Sequence, residues 1–257
     1  IPIPESKETL LALFEDMDAA AKSVSAIIAN KIIPATLEFL DQPTCKVVED
    51  FAKVGLPTDV NAVLLIEQDG PPEVVARDIL AISEICKQGN AVSVKIAKSK
   101  EEAEALSTAR RSALSALARM KPTTILEDAT VPRSRISEMV KAINQIALKY
   151  NLKICTFGHA GDGNLHPTCL TDARDKEEGH RVELAFEEIF QKAIELGGTI
   201  TGEHGVGEMK SPYLAMKIGE EGIAAMKAIK SSLDPNGIMN PGKIFAKDSR
   251  KRVVISS

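Results

Sequence analysis

Leu152-Lys153-Ile154-Cys155-Thr156-Phe157-Gly158-His159-Ala160-Gly161-Asp162-Gly163-Asn164-Leu165-His166-Pro167-Thr168-Cys169-Leu170 is the stretch on which the fold of this chain turns. Two apolar runs, Leu152 to Phe157 and Leu165 to Leu170, flank a glycine-rich turn, the pattern of paired strands. Asp162-Gly163 is a hairpin signal, because glycine tolerates positive φ and aspartate visits it more readily than most residues. A two-residue turn centred there puts Ala160 opposite Leu165 and His159 opposite His166. Directly opposed side chains have Cβ atoms roughly 4.5–5.5 Å apart, so the two imidazoles converge on one divalent ion.

Outward from this hairpin, strand-like runs alternate with amphipathic helices. Thr9 to Phe14, Ala35 to Phe39, Ala62 to Ile66 and Ala91 to Ile96 read as strands, and Ile125 to Val131 as another. Met17 to Ala29, the segment after Asp69-Gly70-Pro71-Pro72 through Ile85, Lys100 to Arg119, Ser134 to Tyr150 and Arg174 to Leu196 read as helices. Strands mixed with crossing helices predict an α+β architecture, antiparallel sheets covered by helices on one face. A duplicated split-βαβ, or ferredoxin-like, unit fits that rhythm. The chain reads as a single domain over residues 1–257.

With 257 residues, 44% of them hydrophobic and 26% charged, the chain can bury a substantial core. A net charge of −4 spread along the chain leaves no broad basic surface, and no Trp with only 4% aromatics leaves no stacking platform, so nucleic acid is not an expected partner. Apolar runs fall far short of the ~20 residues of a membrane helix, so no transmembrane segment is expected. The four cysteines, Cys45, Cys86, Cys155 and Cys169, stand singly without CxxC spacing, as reduced core thiols of a cytoplasmic protein would. The start, Ile1-Pro2-Ile3-Pro4, has neither an initiator Met nor a signal-peptide pattern, so an excised part of a longer protein is expected. No GxGxxG or GxxxxGK[ST] phosphate cradle is present.

Of four histidines, three lie in two glycine-rich stretches, the hairpin and Gly202-Glu203-His204-Gly205-Val206-Gly207. Glu203 is the expected third protein ligand beside His159 and His166. That leaves an open N/N/O site suited to Zn, Mn or Fe in the divalent state. Gly202 and Gly205 permit a bend that turns both Glu203 and its neighbour toward one cavity. His204 is then free to act as general base. Asp162 reads as a turn former, His180 as a surface residue, and Lys247 to Arg252 as a solvated charged end.

Gly158 to Pro167, Thr201 to Gly207, Asp234-Pro235-Asn236-Gly237-Ile238-Met239-Asn240-Pro241-Gly242-Lys243, and Glu127-Asp128 followed by Val131-Pro132-Arg133-Ser134 together resemble a known family. It is the C-terminal domain of FAD-linked oxidases of the vanillyl-alcohol oxidase superfamily, in the group of the glycolate oxidase subunit and D-lactate or D-2-hydroxyglutarate dehydrogenases. The resemblance covers nearly the whole chain. It implies a flavin-dependent oxidation of a 2-hydroxy acid to a 2-oxo acid, with hydride passed to FAD. It further implies that a separate N-terminal FAD-binding domain carries most flavin contacts. By motif, His159, His166 and Glu203 match metal ligands and His204 the catalytic base. Arg110 matches the arginine that binds the substrate carboxylate, with Arg111 as the other choice of register, and Asn240 matches a flavin-contacting asparagine. Expected partners are the acid, the FAD-binding domain and an electron acceptor, a protein or a quinone; a homodimer is left open. Two rival readings remain at this level: a metal-dependent hydrolase using the same His-His-Glu set, and a non-catalytic assembly module.

Overall fold

The computed structural model describes residues 2–53 and 55–245; the charged end expected at Lys247 to Arg252 lies outside the described residues. Its strands are β1 Ser6–Phe14, β2 Thr36–Asp41, β3 Ala62–Gly70, β4 Ser93–Ile96, β5 Thr123–Leu126, β6 Ala129–Thr130, β7 Lys153–His159 and β8 Asn164–Thr171. Its helices are α1 Met17–Ala29, α2 Gln42–Ala52, α3 Pro72–Gln88, α4 Lys100–Leu117, α5 Ile136–Lys149, α6 Lys176–Glu195 and α7 Leu214–Leu233.

The expected α+β class is what the chain adopts, but with one continuous sheet. Its order is β4-β1-β3-β2-β7-β8-β5, with β6 also paired to β8, and every pairing is antiparallel. In the first half, β1-α1-β2 and β3-α3-β4 give the order β4-β1-β3-β2, that of a split βαβ unit. In the second half three strands run β5-β8-β7, and beside them a lone bridge joins Thr130 to Thr199. The halves meet where β2 pairs with β7.

Helices lie on both faces rather than one. Alternation along the strands sends Leu10, Ala12, Phe14, Phe39, Leu64 and Ile66 to the core beneath α1, α3, α5 and α6. Leu11, Leu40, Val63, Leu65, Cys155 and Leu170 point the other way, to a smaller core under α2 and α4. Each fully buried Leu or Ile contributes about 1.5–3 kcal/mol, so both faces add to stability. The second face departs from the sequence expectation, which places no helix at α2. Its start, Asp41-Gln42-Pro43, nevertheless carries a capping aspartate and an early proline. Asp41 binds the Thr44 amide (2.8 Å) and hydroxyl (2.6 Å), and also the Thr156 amide of β7 (2.7 Å), pinning α2 across the seam. Burial outweighs these bonds and pushes its carboxyl up to about 6. The α7 helix likewise goes beyond the sequence expectation; Gly219, at φ 67, kinks it and interrupts the periodic pattern. All four cysteines are buried free thiols.

Candidate functional site

The hairpin expected from residues 152–170 forms with a wider turn. His159 pairs with Asn164 and Phe157 with His166, so Ala160-Gly161-Asp162-Gly163 makes a four-residue loop. The amides of Asp162 and Gly163 both donate to the His159 carbonyl, and Asp162 Oδ1 accepts from the Asn164 amide. Gly163 is obligatory here: its φ is 84°, and an added Cβ would lie 2.0 Å from the Val131 carbonyl. The expected opposition of His159 and His166 is therefore corrected to a diagonal. Because a shift of two residues keeps side chains on one face, the rings still stand edge to face with centroids 5.2 Å apart.

Both histidines lie on the α4 face of the sheet, and the second glycine loop closes over them. Gly202 packs so tightly that a Cβ would sit 2.5 Å from the Asn164 side chain. That approach delivers Glu203, whose Oε1 lies 3.1 Å from His159 Nε2 and 3.1 Å from His166 Nε2. His204, next along the bend, turns to the same cluster and stacks on His166 at 5.2 Å and 16°. His180 is a surface residue, 69% exposed in its side chain.

What sequence reasoning did not single out is the carboxylate behind each imidazole. Asp128, fully buried, places Oδ1 3.1 Å from His204 Nδ1 and 3.3 Å from His166 Nδ1. Its Oδ2 accepts from the amides of Gly202 (3.1 Å) and His204 (3.0 Å), the Thr201 hydroxyl (3.1 Å) and the buried Lys210 ammonium (3.3 Å). Burial opposes ionisation of Asp128, but the His166 ring, the His204 amide and Lys210 outweigh it and hold the carboxyl well below its usual range. Glu127 forms a second ion pair with Lys210 at 3.0 Å. On the other side Glu38, also buried, lies 2.9 Å from His159 Nδ1. That hydrogen bond, with the Glu38 and Glu203 charges, outweighs burial and Arg110 and pushes His159 up to about 8. The signal for both was present in the sequence: a carboxylate amid apolar residues, within β2 at Leu37-Glu38-Phe39 and between β5 and β6 at Leu126-Glu127-Asp128-Ala129, must find a partner.

The two arginines separate cleanly. Leu106, Ala109, Ala113, Ala116 and Leu117 form the buried stripe of α4. Arg110, four residues after Leu106, borders that stripe and reaches Glu38 at 3.0 Å and His159 Nδ1 at 3.4 Å. Arg111 is rotated away to pair with Glu104 on the helix's outer side. Asn240 is exposed, outside the cluster. Its segment is tied to the glycine loop by Ile244 N–H to the Gly207 carbonyl (2.8 Å) and by Lys243 to Glu208 (2.9 Å).

The two His–Glu separations suit a small divalent cation. Ligands at roughly 2.0–2.1 Å from one ion stand roughly 3.0–3.4 Å from each other, and both His–Glu separations fall in that range. His159 turns its other nitrogen to Glu38 in a hydrogen bond, the arrangement that orients metal-binding imidazoles, and His166 Nδ1 faces Asp128 at 3.3 Å. Among the described residues, the group whose ligand atoms all lie within 4.8 Å of one another is Asp128, His166, Glu203 and His204, without His159. In that group Asp128 is the weaker candidate ligand, since its Oδ2 is saturated by loop amides and Lys210. Its Oδ1 and His166 Nδ1, 3.3 Å apart, are buried without an aligned hydrogen-bond partner.

The family described as FAD linked oxidases, C-terminal domain, matches residues 3–244. The glycolate oxidase subunit GlcD of Bacillus subtilis (strain 168) is 72% identical over 254 residues, 99% of this chain and 54% of that protein. A D-lactate dehydrogenase of Anaerostipes hadrus is 33% identical over 260 residues, 96% of this chain and 54% of that protein. The chain thus spans about half the length of the curated relatives it matches. In fold, p-cresol methylhydroxylase with substrate bound superposes with a TM-score of 0.74 at 14% identity, over 96% of this chain and 54% of that one. Among the described residues, no helix is long and apolar enough to cross a membrane.

Proposed function

Because the chain belongs to the family of FAD-linked oxidase C-terminal domains, we propose that it is the substrate-side, cation-binding portion of a flavin-dependent 2-hydroxy acid dehydrogenase of glycolate or D-lactate type. The observation that carries this reading is the convergence of His159 Nε2, His166 Nε2 and Glu203 Oε1, with Arg110 beside them. Arg110 offers a planar fork for the acid's carboxylate. His204 has Nδ1 turned to Asp128, which leaves Nε2 to take the proton of the 2-hydroxyl. A divalent Zn, Mn or Fe ion held by His159, His166 and Glu203 would supply a Lewis acid that makes that hydroxyl more acidic. FAD would supply the hydride acceptor, held by an N-terminal domain, with Asn240 contributing from this side.

The reading is tested in two steps. The chelator-stripped chain should take up about one Zn2+ or Mn2+ per molecule, and Glu203→Gln should abolish uptake. Joined to the flavin-binding remainder of the protein, it should oxidise a small 2-hydroxy acid, and His204→Gln should lower kcat by about 100-fold or more. A chain that hydrolyses esters or amides alone, or an active two-domain enzyme indifferent to Glu203→Gln, would refute it.

A further inference from the structure

We infer that Glu38 is a positioning residue that links the cation site to the acid-binding arginine, one carboxylate oxygen holding His159 as a ligand and steering Arg110 at once. The inference rests on the reading above for the identity of the two sites it joins.

Glu38 and His159 are Cα partners across the β2–β7 seam, where the two halves of the sheet meet. Glu38 is 4% exposed in a strand whose neighbours Leu37 and Phe39 serve the opposite core. A charge buried so deeply is tolerated only when it is paired. Its Oε1 has two partners from different elements: His159 Nδ1 of β7 at 2.9 Å and Arg110 Nη2 of α4 at 3.0 Å. Those partners are themselves 3.4 Å apart, so the three atoms form a closed triangle.

Two consequences follow from this geometry. A carboxylate on Nδ1 keeps the neutral ring's proton there and its lone pair on Nε2, the atom that faces Glu203. The second is competition: His159 and Arg110 share one oxygen, and Arg110 brings a positive charge close to the ring. When an acid's carboxylate engages the guanidinium, Glu38 is released to His159, and Nε2 becomes a better donor to a cation. Acid and cation then favour each other's binding, and by linkage the effect is equal in both directions. A Glu38 that only neutralised a buried charge would influence stability alone.

The test uses the metal-free chain and Zn2+ in competition with a chromophoric chelator. The His159 ring nitrogens are read by 15N NMR at a pH where the ring is neutral. Glu38→Gln should lower Zn2+ affinity by roughly 10–100-fold, and should turn a single Nδ1-protonated His159 into a mixture of tautomers. Arg110→Gln should raise Zn2+ affinity, and that gain should shrink by about twofold or more in the Glu38→Gln background. Glu38→Asp keeps the charge but draws it back, so it should fall between wild type and Glu38→Gln; it also replaces Glu38→Gln if that variant fails to fold. Unchanged affinity with an unchanged tautomer would overturn the positioning role, and purely additive effects would overturn the link to Arg110. Failure of the wild-type chain to bind Zn2+ would sink the cation reading and the linkage with it, while the tautomer would still decide whether Glu38 fixes His159.

Discussion

Asp128→Asn is the substitution that most directly probes how the glycine loop is held over the hairpin. The change keeps the side-chain shape but removes the charge that Oδ2 presents to the Thr201–Lys210 loop. The three shortest bonds there come from the amides of His204 (3.0 Å) and Gly202 (3.1 Å) and the Thr201 hydroxyl (3.1 Å). A hydrogen bond to an ionised group contributes about 1.5–3 kcal/mol and a neutral one about 0.5–1.5, so each loses about 1 kcal/mol and together about 3 kcal/mol. Lys210 retains Glu127 at 3.0 Å, which limits further loss. Urea unfolding should thus show a destabilisation of about 3 kcal/mol, a fall in Tm of about 6–12 °C for a chain of this size. The amide that replaces Oδ1 also presents no charge to His166 Nδ1 and His204 Nδ1, so Zn2+ affinity should fall by roughly 10–100-fold. A variant within about 1 kcal/mol of wild type and with undiminished Zn2+ affinity would refute the argument that Asp128 orients both rings.

The remaining predictions concern separate parts of the molecule. In the two-domain enzyme, Arg110→Lys should raise KM for the acid by about tenfold or more, because a single ammonium cannot replace the bidentate fork, whereas Arg111→Lys should leave KM unaltered. Asp41, pushed from 3.8 up to about 6, has a folded-state value above the unfolded one, so its contribution is full below pH ~4 and lost as pH rises through about 6. The unfolding free energy of wild type relative to Asp41→Asn should accordingly drop by about 3 kcal/mol across that window, and a difference that grows with pH would contradict it. Phe39→Ala, at a position 2% exposed in the larger core, should lower stability by about 3–5 kcal/mol in urea titrations without moving the histidine cluster.

Several elements were legible from residue order alone because their signals are local. Met17–Ala29 forms the helix that its periodicity indicates, and Ser99 and Asp175 cap α4 and α6 by accepting their first amides. The hairpin was legible as a hairpin, but its register was not. A two-residue and a four-residue turn satisfy the same Asp-Gly pattern, and the packing of Gly163 under Val131 selects the wider one. For the site, the scarcity of histidine and its concentration in two glycine loops marked His159, His166, Glu203 and His204 as a group.

What the sequence by itself determined is therefore the inventory: alternating strands and helices, two glycine loops, and the side chains able to hold a cation and an acid. Tertiary structure decided which of those groups meet. Arg110 and Arg111 are neighbours in the chain, and only the seating of α4 on Ala109 and Ala113 turns the first toward Glu38 and the second to solvent. Glu38 and Asp128 come within reach of the imidazoles through pairings 121 and 38 residues apart. No local pattern encodes such contacts, because they depend on which strands become neighbours in the sheet and on how closely the chain can pass at Gly202.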